Sequence, residues 1–215
     1  MNVQPRPFAE RLHVSNHPLI LSMLTRLRDL NTGPEEFRRL VAKISTLLVM
    51  EATKDLELSA VSITTPMAEE VTGCALAKDV ALVPIWRAGL GMLEGIRDFL
   101  PQAKLLFLGL QRNEKTLRPE TYYQNLPEKP VARCLILDPM LATGGSADFA
   151  CGLLKHWGAR EIRFIGIIGA PEGVDRLLCT HPDVPIFLAA EDRCLNTEGF
   201  ILPGLGDAGD RQFGT

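Results

Sequence analysis

The residues best suited to chemistry form one run, Asp138-Pro139-Met140-Leu141-Ala142-Thr143-Gly144-Gly145-Ser146, which follows the apolar stretch Cys134–Leu137. An acid at the end of a buried strand, then a turn of small residues opening a helix, is a cradle for an anion. Gly144 and Gly145 let backbone N–H groups approach a phosphate, the hydroxyls of Thr143 and Ser146 can donate, and the helix presents its positive end. Asp138 can only accept, which suits the hydroxyls of a sugar. Two arginines stand in comparable places, Arg87 after the apolar run 80–85 and Arg112 after 104–110. Each guanidinium can chelate a diphosphate through two parallel hydrogen bonds.

These residues need a frame that brings them to one place. Val61–Thr65, Val80–Ile85, Lys104–Leu110, Val131–Leu137, Ile162–Ile168 and Pro185–Ala189 are short, mostly apolar runs that read as buried strands. Helical segments lie between several of them, at Leu90–Leu100, Ser146–Trp157 and Pro171–Cys179. Such alternation predicts an α/β fold, a doubly wound parallel sheet covered on both faces. Ligands of such sheets bind beyond the carboxyl ends of the strands, so the loops opening at Arg87, Asp138 and Ala170 share an edge. Before the sheet, Pro18–Leu30 carries apolar residues at helical spacing, and a second helix starts with Pro34 and lines Phe37, Leu40, Val41, Ile44, Leu47 and Leu48 on one face.

Two stretches fall outside the alternation. Gln111–Pro130 is polar, carries three prolines and is long for a connection inside a compact domain, which predicts a flexible loop or lid where Tyr122 and Tyr123 can pack on closure. The segment Gly199–Asp210 has too much glycine for a helix and too much apolar character for a frayed end, so it predicts a pocket built from main chain.

The bulk numbers set limits. A chain of 215 residues, 46% hydrophobic and 23% charged, predicts a single domain (1–215) with a sizeable core. Residues 1–16 are then an N-terminal extension and 191–215 a closing segment. The net charge of −3 gives no basic field for a nucleic-acid backbone, so any phosphate must be gripped locally. Five cysteines (74, 134, 151, 179 and 194) without a CxxC pair predict reduced thiols, each a small buried hydrophobe, in a cytoplasmic protein. His13, His17, His156 and His181 lack ligand spacing and are expected to be structural, with no metal held by the chain itself. No signal peptide or membrane-spanning run is read. Gly89-x-Gly91 invites comparison with a dinucleotide fingerprint, but Gly95 falls one position late, which disfavours a dinucleotide oxidoreductase.

The stretch DPMLATGGS (Asp138–Ser146) resembles the loop of type I phosphoribosyltransferases that binds 5-phospho-α-D-ribose 1-diphosphate (PRPP), in the form seen in uracil phosphoribosyltransferases, with Pro139 in place of a second acid. EATKDLE (Glu51–Glu57), VPIWRAGLGM (Val83–Met92), APEG (Ala170–Gly173), PGLGDAGDRQFGT (Pro203–Thr215) and HPL (His17–Leu19) are similar to the same family, in order along almost the whole chain. The resemblance implies a uracil phosphoribosyltransferase that makes UMP and diphosphate. It implies PRPP contacts from Arg87, Arg112, Asp138, Pro139, Met140, Leu141, Ala142, Thr143, Gly144, Gly145, Ser146 and Asp207, with Arg87, Arg112, Asp138 and Asp207 in the catalytic roles. It places uracil against the main chain of Ile201, Gly206, Asp207 and Ala208. It also implies Mg²⁺ carried with PRPP, homo-oligomers (dimer or tetramer) and, in some members, activation by GTP. The chain departs from the pattern at Gln111, Lys115 and Phe200, the last where the family carries a tyrosine, so a hydroxyl contact is lost there. Two alternatives stay open: transfer to another base, and a PRPP-fold regulator of pyrimidine genes that binds RNA.

Overall fold

The computed structural model describes the backbone of residues 6–112 and 119–215, and their side chains except those of residues 110–122. The expected parallel sheet is present, with Val80–Trp86, Arg133–Leu137, Glu161–Gly169 and Ile186–Glu191 as its centre. In chain order the elements are β1 (Leu12–Val14), α1 (Pro18–Arg28), α2 (Pro34–Ala52), β2 (Leu58–Thr64), β3 (Glu70–Leu76), β4 (Val80–Trp86), α3 (Leu90–Phe99), β5 (Lys104–Leu105), β6 (Phe107–Arg112) and β7 (Pro119–Asn125). Then follow β8 (Arg133–Leu137), β9 (Met140–Leu141), α4 (Gly145–Trp157), β10 (Glu161–Gly169), α5 (Pro171–Thr180), β11 (Ile186–Glu191), β12 (Cys194–Leu195), β13 (Ile201–Leu202) and α6 (Ala208–Phe213). The main sheet runs β1-β11-β10-β8-β4-β6-β7, with β5 beside β4 and β9 beside β10. Its pairs are parallel except β6–β7, which is an antiparallel hairpin.

Strand parity sorts the core into two layers. Val80, Leu82, Leu135, Leu137, Ile165 and Ile167 face a cluster built with α1, α2 and α3. Ala81, Val83, Ile85, Cys134, Ile136, Ile162 and Phe164 face the other way, onto α4 and α5. Successive residues of a strand point to opposite faces, so apolar runs without alternation are what a sheet covered on both sides requires.

Several expectations need correction. The run read as a buried strand at Val61–Thr65 belongs to β2, which pairs antiparallel with β3 in a separate two-stranded hairpin. Leu58, Ile63 and Val71 are exposed there, as is Met67 at its turn. A short run of β-branched residues such as Val61, Ile63, Thr64 and Thr65 marks a strand but does not say which sheet it joins. Residues 12–14 of the supposed extension form β1 and close the sheet edge beside β11. The closing segment does contain a helix, α6, because Asp207 caps it: its Oδ1 accepts from the Asp210 N–H at 2.9 Å. Only Cys134 and Cys151 are buried as expected, and there burial pushes both thiols up to about 12. Cys74 and Cys179 are exposed and Cys194 is half-buried. Of the histidines, His17 caps α1 by accepting from the Leu19 N–H at 3.2 Å, and His13 stacks on Phe187.

Candidate active site

The cradle begins where β8 ends. Asp138 and Pro139 break the strand, and Met140–Leu141 resume it as β9 along the same edge of β10 and in the same register. The backbone then turns at Gly144, whose φ of 75° lies in the left-handed region, and α4 starts at Gly145. A Cβ at Gly144 would come within 2.8 Å of the Gly173 carbonyl, so glycine serves both the turn and the close approach of α5. Neither Thr143 nor Ser146 caps α4 with its side chain, which leaves the first-turn N–H groups pointing into an open cavity of ≈ 160 Å³. Asp138, Met140, Leu141, Ala142, Thr143, Gly144, Gly145 and Ser146 line it together with Ala147. Pro139 stands apart, buried, with its carbonyl accepting from the N–H groups of Ile167 and Ile168 at 3.0 Å each.

Asp138 carries the largest electrostatic anomaly of the cavity. Burial pushes its carboxyl up to about 7, against the single Met140 N–H at 3.3 Å that favours the anion. A carboxylate so short of donors is set to take hydrogen bonds from a ligand's hydroxyl groups.

Arg87 follows β4, and its loop is pressed onto the end of β8: a Cβ at Gly89 would meet the Leu137 carbonyl at 2.3 Å. The guanidinium turns toward the C-terminal helix, with Nη2 3.0 Å from Asp210 Oδ1 and Nη1 3.5 Å from Thr215 Oγ1, and lies over the Phe213 ring. Both partners of the Arg87–Asp210 pair are about half exposed, so the pair is weak and open to exchange for a stronger anion. Asp207 is close by, its Oδ1 3.1 Å from where a Gly209 Cβ would stand. Arg112 closes β6, the neighbour of β4, but its side chain lies outside the described residues, as does Lys115 altogether. The loop read at Gln111–Pro130 is partly the outer half of the β6–β7 hairpin, and residues 113–118 fall outside the description. At its root Tyr123 stacks on Trp86, ring centroids 5.3 Å apart. Trp157, at the end of α4, donates its Nε1–H to the Pro127 carbonyl at 2.8 Å.

The closing segment meets the cradle through the β12–β13 ribbon. Leu195 stands opposite Ile201, and the ribbon's turn brings Gly199 within 3.9 Å of Thr143 Cγ2, measured from a Cβ position. Ile201, Leu205 and Ala208 are buried in the layer built with α1 and α2. Gly206 follows at a φ of 77°.

Sequence reasoning missed the residues that hold this segment. Arg28 of α1 grips the Asp192 carboxylate at 2.5 and 2.7 Å and also donates to the Gly204 carbonyl, while Asp192 accepts from the Gly204 N–H. Arg211 donates to the carbonyls of Leu27, Asp29, Thr32 and Leu205 and lies over the Phe37 ring. Buried Gln212 ties α6 to the Arg87 loop through the Ala88 carbonyl at 3.1 Å. Apart from the Leu205 carbonyl, six residues before Arg211, these partners lie more than 120 residues away in the chain, and that distance hid them. Gly91 also has its explanation here, since a Cβ would overlap the Gln212 amide, and Gly95 has its own in close packing on α2.

Among the described residues no group of three or more His, Cys, Asp or Glu is placed to hold a metal ion, and no helix is long and apolar enough to cross a membrane. The uracil phosphoribosyltransferase family model matches residues 14–215. Proteins named uracil phosphoribosyltransferase from Roseiflexus sp. (strain RS-1) and Acholeplasma laidlawii are 55% and 50% identical to this chain. The first covers 94% of this chain and 97% of its own, the second 95% and 99%. The solved structure of the AQ2163 protein from Aquifex aeolicus is 37% identical, covers 94% of this chain and 97% of its own, and superposes with a TM-score of 0.88. A hypoxanthine phosphoribosyltransferase from Staphylococcus aureus, 12% identical over 81% of this chain and 82% of its own, shares the fold alone at a TM-score of 0.50. From residue 14 to its last residue, the chain belongs to the uracil phosphoribosyltransferase family.

Proposed function

We propose that the protein transfers the 5-phosphoribosyl group of PRPP to N1 of uracil, and that the cradle, the Arg87 loop and the closing segment divide the substrates between them. The observation that carries this reading is the cavity between Asp138 and the uncapped start of α4, with the turn of the ribbon that bears Ile201 next to Thr143 of its lining. The 5′-phosphate takes the N–H groups of Thr143–Ser146, where a helix start favours a dianion. The ribose hydroxyls take Asp138. The diphosphate takes Arg87, displacing it from Asp210, together with Arg112.

In the reaction the N1–C1′ bond forms, the bond from C1′ to the diphosphate oxygen breaks, and the N1 proton is lost. No protein nucleophile is needed. Positive charge spreads over the sugar ring while negative charge grows on the diphosphate, so catalysis rests on placement and on cations set where charge develops. Mg²⁺ enters as part of the substrate. A cavity offering Asp138 as its lining carboxylate suits an ion that keeps diphosphate oxygens and water as most of its ligands.

Uracil presents an N–H at N3 beside the acceptor O4, and the main chain of Ile201, Gly206, Asp207 and Ala208 answers with groups of fixed polarity. Cytosine inverts that edge. Sites built for one hydrogen-bond pattern reject the other by on the order of 10³-fold or more. We further propose a cytoplasmic homo-oligomer, dimer or tetramer, with GTP as an activator. The deciding assay is UMP formation from uracil and magnesium PRPP, with cytosine, adenine and hypoxanthine in parallel. Uracil should be preferred by three orders of magnitude in kcat/KM over cytosine; comparable use of another base would overturn the assignment.

A further inference from the structure

The APEG turn is the motif for which the site, as described, has no use. Its first residues open α5: Ala170 is the N-cap, Pro171 the first helical residue, and the Gly173 N–H returns to the Ala170 carbonyl at 3.1 Å. This turn is wedged under the cradle. A Cβ at Gly173 would meet the Ala142 carbonyl at 2.3 Å, and one at Gly144 would meet the Gly173 carbonyl at 2.8 Å. The Ala170 N–H donates to the Leu141 carbonyl at 2.9 Å. Backbone therefore lies against backbone on both sides, and the turn cannot shift without moving the cradle.

Between Ala170 and Gly173 stands Glu172, and its carboxylate does not cap its own helix. Oε1 accepts from the N–H of Leu195 at 3.0 Å. Leu195 belongs to β12 and sits directly opposite Ile201 in the ribbon. A ribbon of two-residue strands has almost no stability of its own. Its turn is closed from within, the Asn196 N–H meeting the Phe200 carbonyl and Asn196 Oδ1 accepting from the Phe200 N–H at 2.8 Å each, and its placement is set from outside. At its base the Asp192 N–H meets the Gly169 carbonyl at 2.7 Å, and Asp192 and Arg28 secure Gly204. Along its length Glu172 supplies the tether from the α5 side.

We infer that Glu172 is a positioning residue that holds the base-binding ribbon at a set distance from the phosphate cradle. Its backbone belongs to the turn that supports Ala142 and Gly144, and its side chain grips the residue paired with Ile201. One residue thus spans the two subsites that must receive opposite ends of one nucleotide. A charge-assisted bond to a backbone N–H is among the stronger single hydrogen bonds, and here it acts on placement of the base rather than on the phosphate. The inference rests on the proposed assignment of cradle to phosphate and ribbon to base.

The test compares Glu172→Ala and Glu172→Gln with the unmodified protein, by steady-state kinetics in both substrates and calorimetric titration with magnesium PRPP. Loss of one charge-assisted bond should raise the KM for uracil in Glu172→Ala by about tenfold. The Kd for PRPP should stay within about twofold, because the cradle keeps its backbone contacts. Glu172→Gln keeps an acceptor oxygen at the same reach and should recover most of the loss. An unchanged KM for uracil, a PRPP Kd that rises as much as the KM, or a Gln variant no better than Ala would each overturn the positioning role. Should Glu172→Ala fail to fold, Glu172→Asp, one methylene too short to keep the contact, is read by the same criteria. Failure of the unmodified protein to make UMP would instead overturn the assignment of the site, and is seen before any variant is made.

Discussion

Replacing Asp138 by asparagine should make the protein more stable and less active, and the stability gain should depend on pH in a way that identifies the carboxyl. Burial raises the folded-state pKa of Asp138 from 3.8 to about 7. A carboxyl raised in this way holds its proton in the folded chain at pH values where the unfolded chain has already lost it. Its contribution to stability is therefore fully present below pH 3.8 and is lost as the pH rises toward 7, after which it changes no further. At about 1.4 kcal/mol per pKa unit, most of a loss on the order of 4 kcal/mol accrues in that window. Between pH 5 and pH 8 the wild type should lose roughly 2–3 kcal/mol from this group, and the asparagine variant should lose none of it. Any fixed cost of the new amide cancels in that difference. For a chain of this size the gap between the two melting temperatures should widen by roughly 5–10 °C from pH 5 to pH 8. Thermal unfolding of both proteins at pH 5, 6, 7 and 8 measures it. Saturating magnesium PRPP should narrow the gap at pH 8, because ribose hydroxyls supply the hydrogen bonds the carboxylate lacks. A gap that stays constant across the range would refute the claim that burial holds the proton on Asp138.

Arg87→Ala should lower kcat/KM by about 10²-fold, as loss of other preorganised charge-stabilising groups does, and steady-state kinetics on the folded variant checks it. Gly144→Val should weaken PRPP binding beyond calorimetric detection while far-UV circular dichroism stays native, since the side chain is unsuited to a φ of 75° and runs into the Gly173 carbonyl. Arg28→Ala strips the partner from a buried Asp192 carboxylate, so stability in urea should fall by about 3–5 kcal/mol with the KM for uracil rising alongside. Equal urea midpoints for Arg28→Ala and wild type would show that the closing segment is held by other means.

The periodicity of the apolar residues, read alone, already contained the doubly wound sheet, both N-terminal helices and the strand-end positions of Arg87, Arg112 and Asp138. It could do so because a strand covered on both faces must be apolar throughout, and a loop at its carboxyl end inherits its place from the sheet. The cradle was legible for the same local reason: a strand-end acid, two adjacent glycines and a helix start all fall within Asp138–Ser146, so its backbone is set locally. Tertiary structure decided what depends on residues far apart in the chain. The hydropathy of Val61–Thr65 marked a strand, yet only its pairing with residues 70–76 showed an exposed hairpin. Burial decided the proton affinity of Asp138, which no neighbour in sequence reveals. Long-range hydrogen bonds decided the closing segment, for Arg28, Arg211 and Gln212 take their meaning from carbonyls and carboxylates that only the fold brings near. Glu172 is the same case in miniature: the APEG motif is visible as letters, but its grip on Leu195 exists only once α5 and the ribbon have packed. Local sequence selects local conformation through sterics and hydrogen bonding within a few residues, whereas a partner's distance in space is a property of the whole packed chain.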